Sequence, residues 1–212
     1  MKHIANLHYI THSLTGYPIT KQVADVCMGG CTWIQLRMKQ TDTAQRQATA
    51  QAIYPLLKRY GAKLIINDDV TVAQSVDADG VHIGADDMHP ADARRLLAPG
   101  KIIGCTANTF DDVLRLSQYD IDYIGLGPVR FTRTKENLSS VLGHAGIRRI
   151  VAAAKTYGIR IPIIAIGGIV TDDVDRLMTT GIHGVAVSNT IREAPDRVAA
   201  CQELLTQLAP FR

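Results

Sequence analysis

The chain alternates eight times between a short apolar run and a longer stretch with helical spacing, and this repeat constrains the fold most. Strands that alternate with helices form parallel sheets with right-handed crossovers. Runs that are apolar throughout are typical of strands buried on both faces. The predicted strands are Leu7–Thr11, Trp33–Leu36, Leu64–Asn67, Gly80–Ile83, Ile102–Cys105, Tyr123–Gly125, Ile163–Ile166 and Gly184–Val187. Eight units in 212 residues leave no spare domain, so we predict an α/β fold, a single (β/α)8 TIM barrel over residues 1–212.

The helical stretches between these runs begin and end with the expected chemistry. Thr171 supplies a hydroxyl before two acids, which suits a helix start, and Gly158 follows a helical stretch as a stop. The predicted helices are Pro18–Met28, Thr43–Tyr60, Val70–Ser75, Pro90–Leu97, Thr109–Ser117, Gly146–Tyr157, Thr171–Thr180 and Pro195–Leu208. The alternative is an open doubly wound sheet with a glycine-rich first turn, but residues 12–17 lack that fingerprint.

Composition narrows the class of partner. The chain is 46% hydrophobic and 20% charged, with a net charge of +3 and dispersed basic residues, which argues against a nucleic-acid or membrane partner. We expect no signal peptide, because Met1–Asn6 leads directly into the first apolar run, and no run is long enough to span a membrane. Four irregularly spaced cysteines suggest reduced thiols and a cytoplasmic location. A homo-oligomer is left open.

Polar side chains follow the second, third and fourth predicted strands, at the barrel end where active sites lie. Alternation places Gln35, Arg37 and Lys39 on one side, as a grip for an anion. The third and fourth strands end in paired acids, at residues 68–69 and 86–87. Carboxylates beside cations suit Mg²⁺ and a diphosphate. The alternatives are solvated strand-end charges and, for Asp69 or Asp86, helix caps; we interpret His82, inside a strand, as structural.

A second anion site is predicted after the sixth, seventh and eighth strands. The loop 125–135 combines two glycines with two hydroxyls and a cation, and a glycine pair at 167–168 follows the seventh strand. With the helix start after the eighth strand, this matches the common phosphate site of such barrels. Its residues are Thr132, Thr134, Gly168, Ser188 and Asn189, with Lys135 between the two sites. The alternative is a pair of ordinary polar turns, and Thr106 alone is uninformative.

In this order, these motifs resemble the thiamine phosphate synthase family over essentially the whole chain. The motifs are Gln35-Leu36-Arg37-Met38-Lys39, Asn67-Asp68-Asp69, Gly80-Val81-His82-Ile83-Gly84 through Asp87, Gly127-Pro128 through Thr132-Arg133-Thr134-Lys135, and Ala165-Ile166-Gly167-Gly168-Ile169. The resemblance implies the condensation of a pyrimidine diphosphate (4-amino-2-methyl-5-hydroxymethylpyrimidine diphosphate) with a thiazole phosphate. The products would be thiamine phosphate and pyrophosphate.

The resemblance also implies roles for individual residues. The pyrimidine diphosphate would contact Gln35, Arg37, Lys39, Asn67 and Lys135, and three of these, Arg37, Lys39 and Lys135, would neutralise the departing diphosphate. The cofactor Mg²⁺ would be held by Asp68 and Asp87. The thiazole phosphate would contact Thr132, Thr134, Gly168, Ser188 and Asn189, and Thr106 would lie near the pyrimidine, where the family usually has serine.

The sequence departs from the family pattern at three places. Thr106, near the pyrimidine, replaces serine, and on the thiazole side the pairs Arg130-Phe131 and Ser188-Asn189 replace more usual residues. Two alternatives remain open: a thiazole tautomerase on the same barrel, and a non-catalytic sensor of phosphorylated precursors. The intact acids and cations of the diphosphate site favour the synthase over both.

Overall fold

The strands close into one parallel barrel in chain order, β1 to β8, with β8 pairing to β1. A computed structural model of the chain describes residues 2–13, 16–131 and 140–211. The strands are β1 (Leu7–Ile10), β2 (Trp33–Leu36), β3 (Lys63–Asn67), β4 (Gly80–Ile83), β5 (Ile102–Ala107), β6 (Tyr123–Leu126), β7 (Ile163–Ile166) and β8 (Gly184–Val187). The predicted (β/α)8 fold is confirmed, while the assignment of all of residues 1–212 to a single domain stays a prediction.

Helices surround the barrel and connect its strands. They are α1 (Ile19–Met28), α2 (Thr43–Arg59), α3 (Val70–Ser75), α4 (Pro90–Leu96), α5 (Phe110–Leu116), α6 (Gly143–Thr156), α7 (Val174–Met178), α8 (Asn189–Arg192) and α9 (Arg197–Leu208). Side chains cap several helix starts: Asp42 accepts from the backbone N–H of Gln45, and Thr109 and Asp112 form a capping box. Among the described residues, no helix is long and apolar enough to cross a membrane.

Three helix starts differ from the prediction by two residues or more. Helix α6 begins at Gly143, three residues before the predicted start, and its cap residue, Leu142, makes no side-chain capping bond. The stretch that begins at Thr171 opens as a 3₁₀ turn, Thr171–Asp173, with Val170 rather than Thr171 at the cap position. The last predicted helix begins at Arg197 and is preceded by the short helix α8.

The apolar core has two layers. Side chains between the sheet and the helices form the larger cluster, and a smaller cluster fills the barrel interior, where Trp33 and Tyr123 are the largest members. Their rings pack edge to face, with centroids 5.6 Å apart. Packed rings therefore fill the interior of the barrel, and the carboxyl ends of the strands are the end at which active sites of such barrels lie. All four cysteines are free and buried.

Candidate active site

A cavity of about 1040 Å³ opens at the carboxyl ends of the strands. It is lined by every predicted site residue that the structure describes: Gln35, Arg37, Lys39, Asn67, Asp68, Asp87, Thr106, Gly168, Ser188 and Asn189. Thr132, Thr134 and Lys135 lie outside the described residues. His12, Asn108 and Glu193 also line the cavity, and they are not among the residues predicted from the sequence.

Gln35 and its neighbours at the end of β2 are fixed by contacts to the adjacent strands. The buried Gln35 side chain donates from Nε2 to Oδ1 of Asn67, 2.6 Å away. The backbone N–H of Arg37 donates to Oγ1 of Thr11, at 2.9 Å. Beyond the strand, Nζ of Lys39 lies 2.9 Å from Oδ2 of Asp68. The predicted anion site is therefore formed by the neutral amide pair of Gln35 and Asn67 at its inner end and by the exposed charge of Lys39 at its outer end.

Asp68 and Asp87 face each other across the ends of β3 and β4. Asp68 has a left-handed backbone with φ of 67°, and its N–H donates to the carbonyl of His82. The carboxylate of Asp87 accepts from the N–H of Gly84 at 2.6 Å. Desolvation raises the pKa of Asp87 to about 6, opposed by the Gly84 bond and assisted by the neighbouring Asp68 carboxylate. Two carboxylates this close favour a shared proton or a cation between them.

The acid pair fits Mg²⁺ better than a metal that needs a full set of protein ligands. Within the described ranges, no group of three or more His, Cys, Asp or Glu side chains is arranged to hold a metal. Mg²⁺ commonly uses one or two carboxylates and completes its octahedron with water and phosphate oxygens. Asp68 and Asp87 therefore suit a cation that arrives with a phosphorylated ligand.

The second acid of each predicted pair, Asp69 or Asp86, makes different contacts from Asp68 and Asp87. Asp69 caps α3 by accepting from the N–H of Val72, and it pairs with Arg46, so the helix-cap alternative holds for this residue. Asp86 is exposed at the cavity wall, and the cap of α4 is His89. The alternative that Asp86 caps the next helix is therefore wrong.

A chain of three polar side chains runs from the cavity into the barrel interior. Oγ1 of Thr106 lies 3.0 Å from Nε2 of His82, and Nδ1 of the same ring lies 2.9 Å from the hydroxyl of Tyr123. Thr106 stands on β5, which is two residues longer than predicted. His82 and Tyr123 are buried, at 4% and 1% exposure. The sequence predicts a structural role for His82 and does not connect it with Thr106.

The loops after β6 and β7 are joined along their backbones. The N–H groups of Val129 and Arg130 donate to the carbonyls of Ile166 and Gly167, at 3.0 and 2.9 Å. Gly168 has φ of 66°, and a Cβ there would lie 2.8 Å from Cβ of Arg130. Only glycine suits such a position, which explains the pair at 167–168.

Arg130, one of the departures from the family pattern, has a structural partner. Its guanidinium lies 2.6 Å from Oδ1 of Asp173, a buried carboxylate that also lies 2.9 Å from Nε2 of His144. The second oxygen of Asp173 accepts from the N–H of Val170. Arg130 therefore ties the start of the loop after β6 to the segment that follows the glycine pair.

Ser188 and Asn189 stand where β8 gives way to α8. Ser188 occupies the cap position, and its buried Oγ has no hydrogen-bond partner among residues 2–13, 16–131 and 140–211. Asn189 begins the helix and accepts from Arg192 through Oδ1, at 2.8 Å. An unpartnered hydroxyl at the cavity wall suits a ligand oxygen, because buried polar groups are nearly always paired.

Comparisons with known proteins agree with the fold and with the motifs. A family model described as thiamine monophosphate synthase matches residues 7–191, a span that includes all eight strands. A thiamine-phosphate synthase from Bacteroides fragilis is 44% identical over 200 residues, which cover 94% of this chain and 98% of the relative. One from Phocaeicola vulgatus is 45% identical over 199 residues, with 94% and 96% covered.

A solved structure gives the same result. Thiamine phosphate pyrophosphorylase from Pyrococcus furiosus superimposes with a TM-score of 0.85 at 32% identity, over 97% of this chain and 96% of the other. Agreement over nearly the whole of both chains means that the cavity end of the barrel is part of the likeness.

Proposed function

Because the chain belongs to the thiamine monophosphate synthase family, we propose that its cavity joins 4-amino-2-methyl-5-hydroxymethylpyrimidine diphosphate to 4-methyl-5-(2-hydroxyethyl)thiazole phosphate. The products are thiamine phosphate and pyrophosphate. Family membership confirms the coarser predictions: the chain is a thiamine phosphate synthase, a transferase of thiamine biosynthesis that acts on small phosphorylated substrates. The two named substrates, the role of Mg²⁺ and each residue's role belong to the proposal. A cytoplasmic location and a homo-oligomer stay predictions.

One observation supports the proposal most: an amide pair at depth lies beside an acid pair and a cation at the cavity mouth. Gln35 and Asn67 present neutral hydrogen-bonding groups suited to the edge of a pyrimidine ring. Lys39, Asp68 and Asp87 lie where a diphosphate attached to that ring would reach the mouth. A neutral recognition surface continuous with a charged one matches a substrate that has an uncharged ring and a diphosphate.

Asp68 and Asp87 would hold Mg²⁺, which when bound neutralises charge that develops on the departing diphosphate. The protein's own cations do related work. Lys39 neutralises Asp68 in this structure, and it is placed to exchange that carboxylate for a phosphate oxygen. Arg37 is half-buried at the cavity wall and offers a planar fork for two phosphate oxygens. Both residues therefore favour the state in which the leaving group has gained negative charge.

The thiazole phosphate is assigned to the opposite side of the cavity. Gly168 brings its backbone to this wall, and Oγ of Ser188, unpartnered among the described residues, is available to donate to a phosphate oxygen. Asn189 contributes its backbone to the same wall, at the start of α8. Thr132, Thr134 and Lys135 keep the roles that the resemblance implies. With both substrates positioned, the reaction needs orientation of the thiazole nitrogen toward the pyrimidine methylene and no protein nucleophile.

The proposal is tested by measuring pyrophosphate. Purified protein given both precursors and Mg²⁺ should release one pyrophosphate per thiamine phosphate formed, and omission of either precursor should abolish release. Failure of the wild-type protein to release pyrophosphate would overturn the proposed function.

A substitution of Asp87 tests the proposed metal ligand separately from the proposed function. Asp87→Asn should lower the rate of pyrophosphate release about 100-fold or more, because a carboxylate ligand is lost. Glu203→Gln is the matched control, since it makes the same chemical change at an exposed residue of α9, outside the cavity. Full activity of Asp87→Asn would contradict the metal role of Asp87 and leave the proposed function intact.

A further inference from the structure

The two hydrogen bonds that link Thr106, His82 and Tyr123 have a fixed donor-to-acceptor direction. The ring of Tyr123 is fully buried, and burial raises the pKa of its hydroxyl well above the ordinary value, so the hydroxyl keeps its proton. Within the described part of the chain, its hydrogen-bond partner is Nδ1 of His82, at 2.9 Å. A buried O–H needs an acceptor, so the phenol donates and Nδ1 of His82 accepts.

Acceptance at Nδ1 decides where the imidazole proton lies. In a neutral imidazole one ring nitrogen accepts and the other donates, so the proton of His82 is on Nε2. That nitrogen lies 3.0 Å from Oγ1 of Thr106, which therefore accepts from it. The proton of the Thr106 hydroxyl is then left to point toward the cavity that Thr106 lines.

We propose that His82 and Tyr123 are positioning residues that make the hydroxyl of Thr106 a hydrogen-bond donor to the bound substrate. The acceptor is an unprotonated nitrogen of an aromatic ring, which offers a lone pair in the ring plane. The inference rests on the proposed function, because that function places a pyrimidine on this side of the cavity. The two buried residues touch no substrate themselves and act only through Thr106.

Two glycines leave space in the barrel for the hydrogen-bonded side chains of His82 and Tyr123. A Cβ at Gly104 would lie 2.1 Å from Cζ of Tyr123, and a Cβ at Gly125 would lie 2.9 Å from Cε1 of His82. Any larger residue at these positions would push one ring away from its partner. Tyr123 is held from the other side by Trp33 and His8, with ring centroids 5.6 and 5.1 Å away. The rings are therefore confined to the orientation that aligns the two hydrogen bonds.

The tautomer can be measured directly without substrates. Long-range ¹H–¹⁵N correlation spectra of the ¹⁵N-histidine-labelled protein should show His82 with its proton on Nε2 and a bare Nδ1. The His82→Gln spectrum identifies the signals by their loss. A proton on Nδ1, alone or in an imidazolium, would overturn the proposal, whatever the protein's activity.

The coupling to Thr106 is measured by a double-mutant cycle. Thr106→Val removes the hydroxyl at nearly constant volume, and Tyr123→Phe removes the atom that fixes the tautomer. We expect each change to lower kcat by about ten- to a hundredfold, with KM for the thiazole phosphate unchanged. Because Tyr123 acts through Thr106, Tyr123→Phe should cause no further loss in the Thr106→Val background. Thr106→Ser should keep most of the rate.

A purely structural role gives a different pattern. The control is Tyr9→Phe, which removes a buried phenol that donates to Gln22 at 3.1 Å, away from the cavity. It should lower the midpoint of thermal unfolding and leave kcat unchanged. If the effects of Tyr123→Phe and Thr106→Val on kcat multiply, the proposal fails. If the wild-type protein shows no turnover, the proposed function fails, and the tautomer measurement still decides the direction of the hydrogen-bonded chain.

Discussion

Two parts of one cavity differ in how their side chains are held. At the rim, Lys39, Asp68 and Asp87 are charged and reach into solvent, and Lys39 and Asp68 pair with each other. At the floor, the polar side chains of Gln35, Asn67, Thr106 and His82 bond in pairs across neighbouring strands. The rim can exchange partners at little cost, because water screens its charges. At the floor, Gln35 and His82 are buried, and a buried group that loses its partner has no water to replace it, whereas Asn67 and Thr106 are half-buried at the cavity wall.

This difference predicts how substitutions divide between activity and stability. A rim substitution should change turnover or metal binding and leave the fold almost unchanged. A floor substitution should lower both, since the same hydrogen bonds hold the strands and present the polar groups. The four predictions below test that division, in order of decreasing effect.

Loss of the acid at the end of β3 should have the largest effect. Asp68→Asn should lower the rate of pyrophosphate release about 100-fold or more, because the variant loses both a carboxylate for Mg²⁺ and the partner of Lys39. Its free energy of unfolding should stay within about 0.5 kcal/mol of wild type. Steady-state kinetics and urea denaturation measure the two quantities, and an unfolding change of several kcal/mol would contradict the description of the rim.

At the floor, Gln35→Leu should destabilise the fold as well as lower turnover. The change leaves Oδ1 of half-buried Asn67 without its donor at the cavity wall, which should lower the free energy of unfolding by about 1 kcal/mol. Urea denaturation provides the measurement. Gln51→Leu, at an exposed position of α2, is the matched control and should stay near wild type. Equal stability of the two variants would remove the distinction between floor and rim.

Metal binding at the rim should weaken in mild acid. A proton competes with the cation for Asp87, whose pKa is raised to about 6, so affinity should fall about tenfold for each pH unit below about 6. Electron paramagnetic resonance of Mn²⁺, a substitute for Mg²⁺, measures this without substrates, whose phosphates also titrate. Asp87→Asn should bind more weakly and show a flatter pH dependence. A wild-type affinity that stays constant down to pH of about 5 would contradict the raised pKa.

The smallest effect concerns the metal-free protein. The pKa of Asp87 is raised from 3.8 to about 6, so its contribution to stability is present below pH 3.8 and is lost as pH rises through about 6. Asp87→Asn should therefore raise the free energy of unfolding above about pH 6, by less than about 1 kcal/mol because solvent screens the group. Below about pH 4 the variant and wild type should agree. Urea denaturation with a chelator gives both values, and destabilisation above pH 6 would reverse the sign.

The sequence was sufficient for the barrel and for the rim. Strands buried on both faces leave continuous apolar runs, and the runs at Trp33–Leu36, Gly80–Ile83, Ile163–Ile166 and Gly184–Val187 match the structure at both ends. Charged residues directly after such runs lie at the open end of the barrel, so the sequence predicts the position of Arg37 and Asp87 at the cavity, while their roles stay predictions. The helix start at Gly143 was missed because Leu142 provides no capping side chain.

The floor was only partly predictable. His82 bonds to Thr106, 24 residues away, and to Tyr123, 41 residues away, and no local pattern connects them. Their contact depends on strand register, in which His82 pairs with Gly104 and Thr106 pairs with Gly125. A histidine in an apolar run therefore has the same local appearance whether it is structural or linked to a ligand.

The glycine at position 104 has a consequence for how this barrel can vary. A side chain there and the full length of Tyr123 cannot occupy the same space. The two positions are therefore complementary in volume: a larger residue at 104 requires a shorter one at 123, and a shorter residue at 123 ends before it reaches His82. Relatives or designed variants that enlarge position 104 should change position 123 with it, and they would need another partner for the buried imidazole.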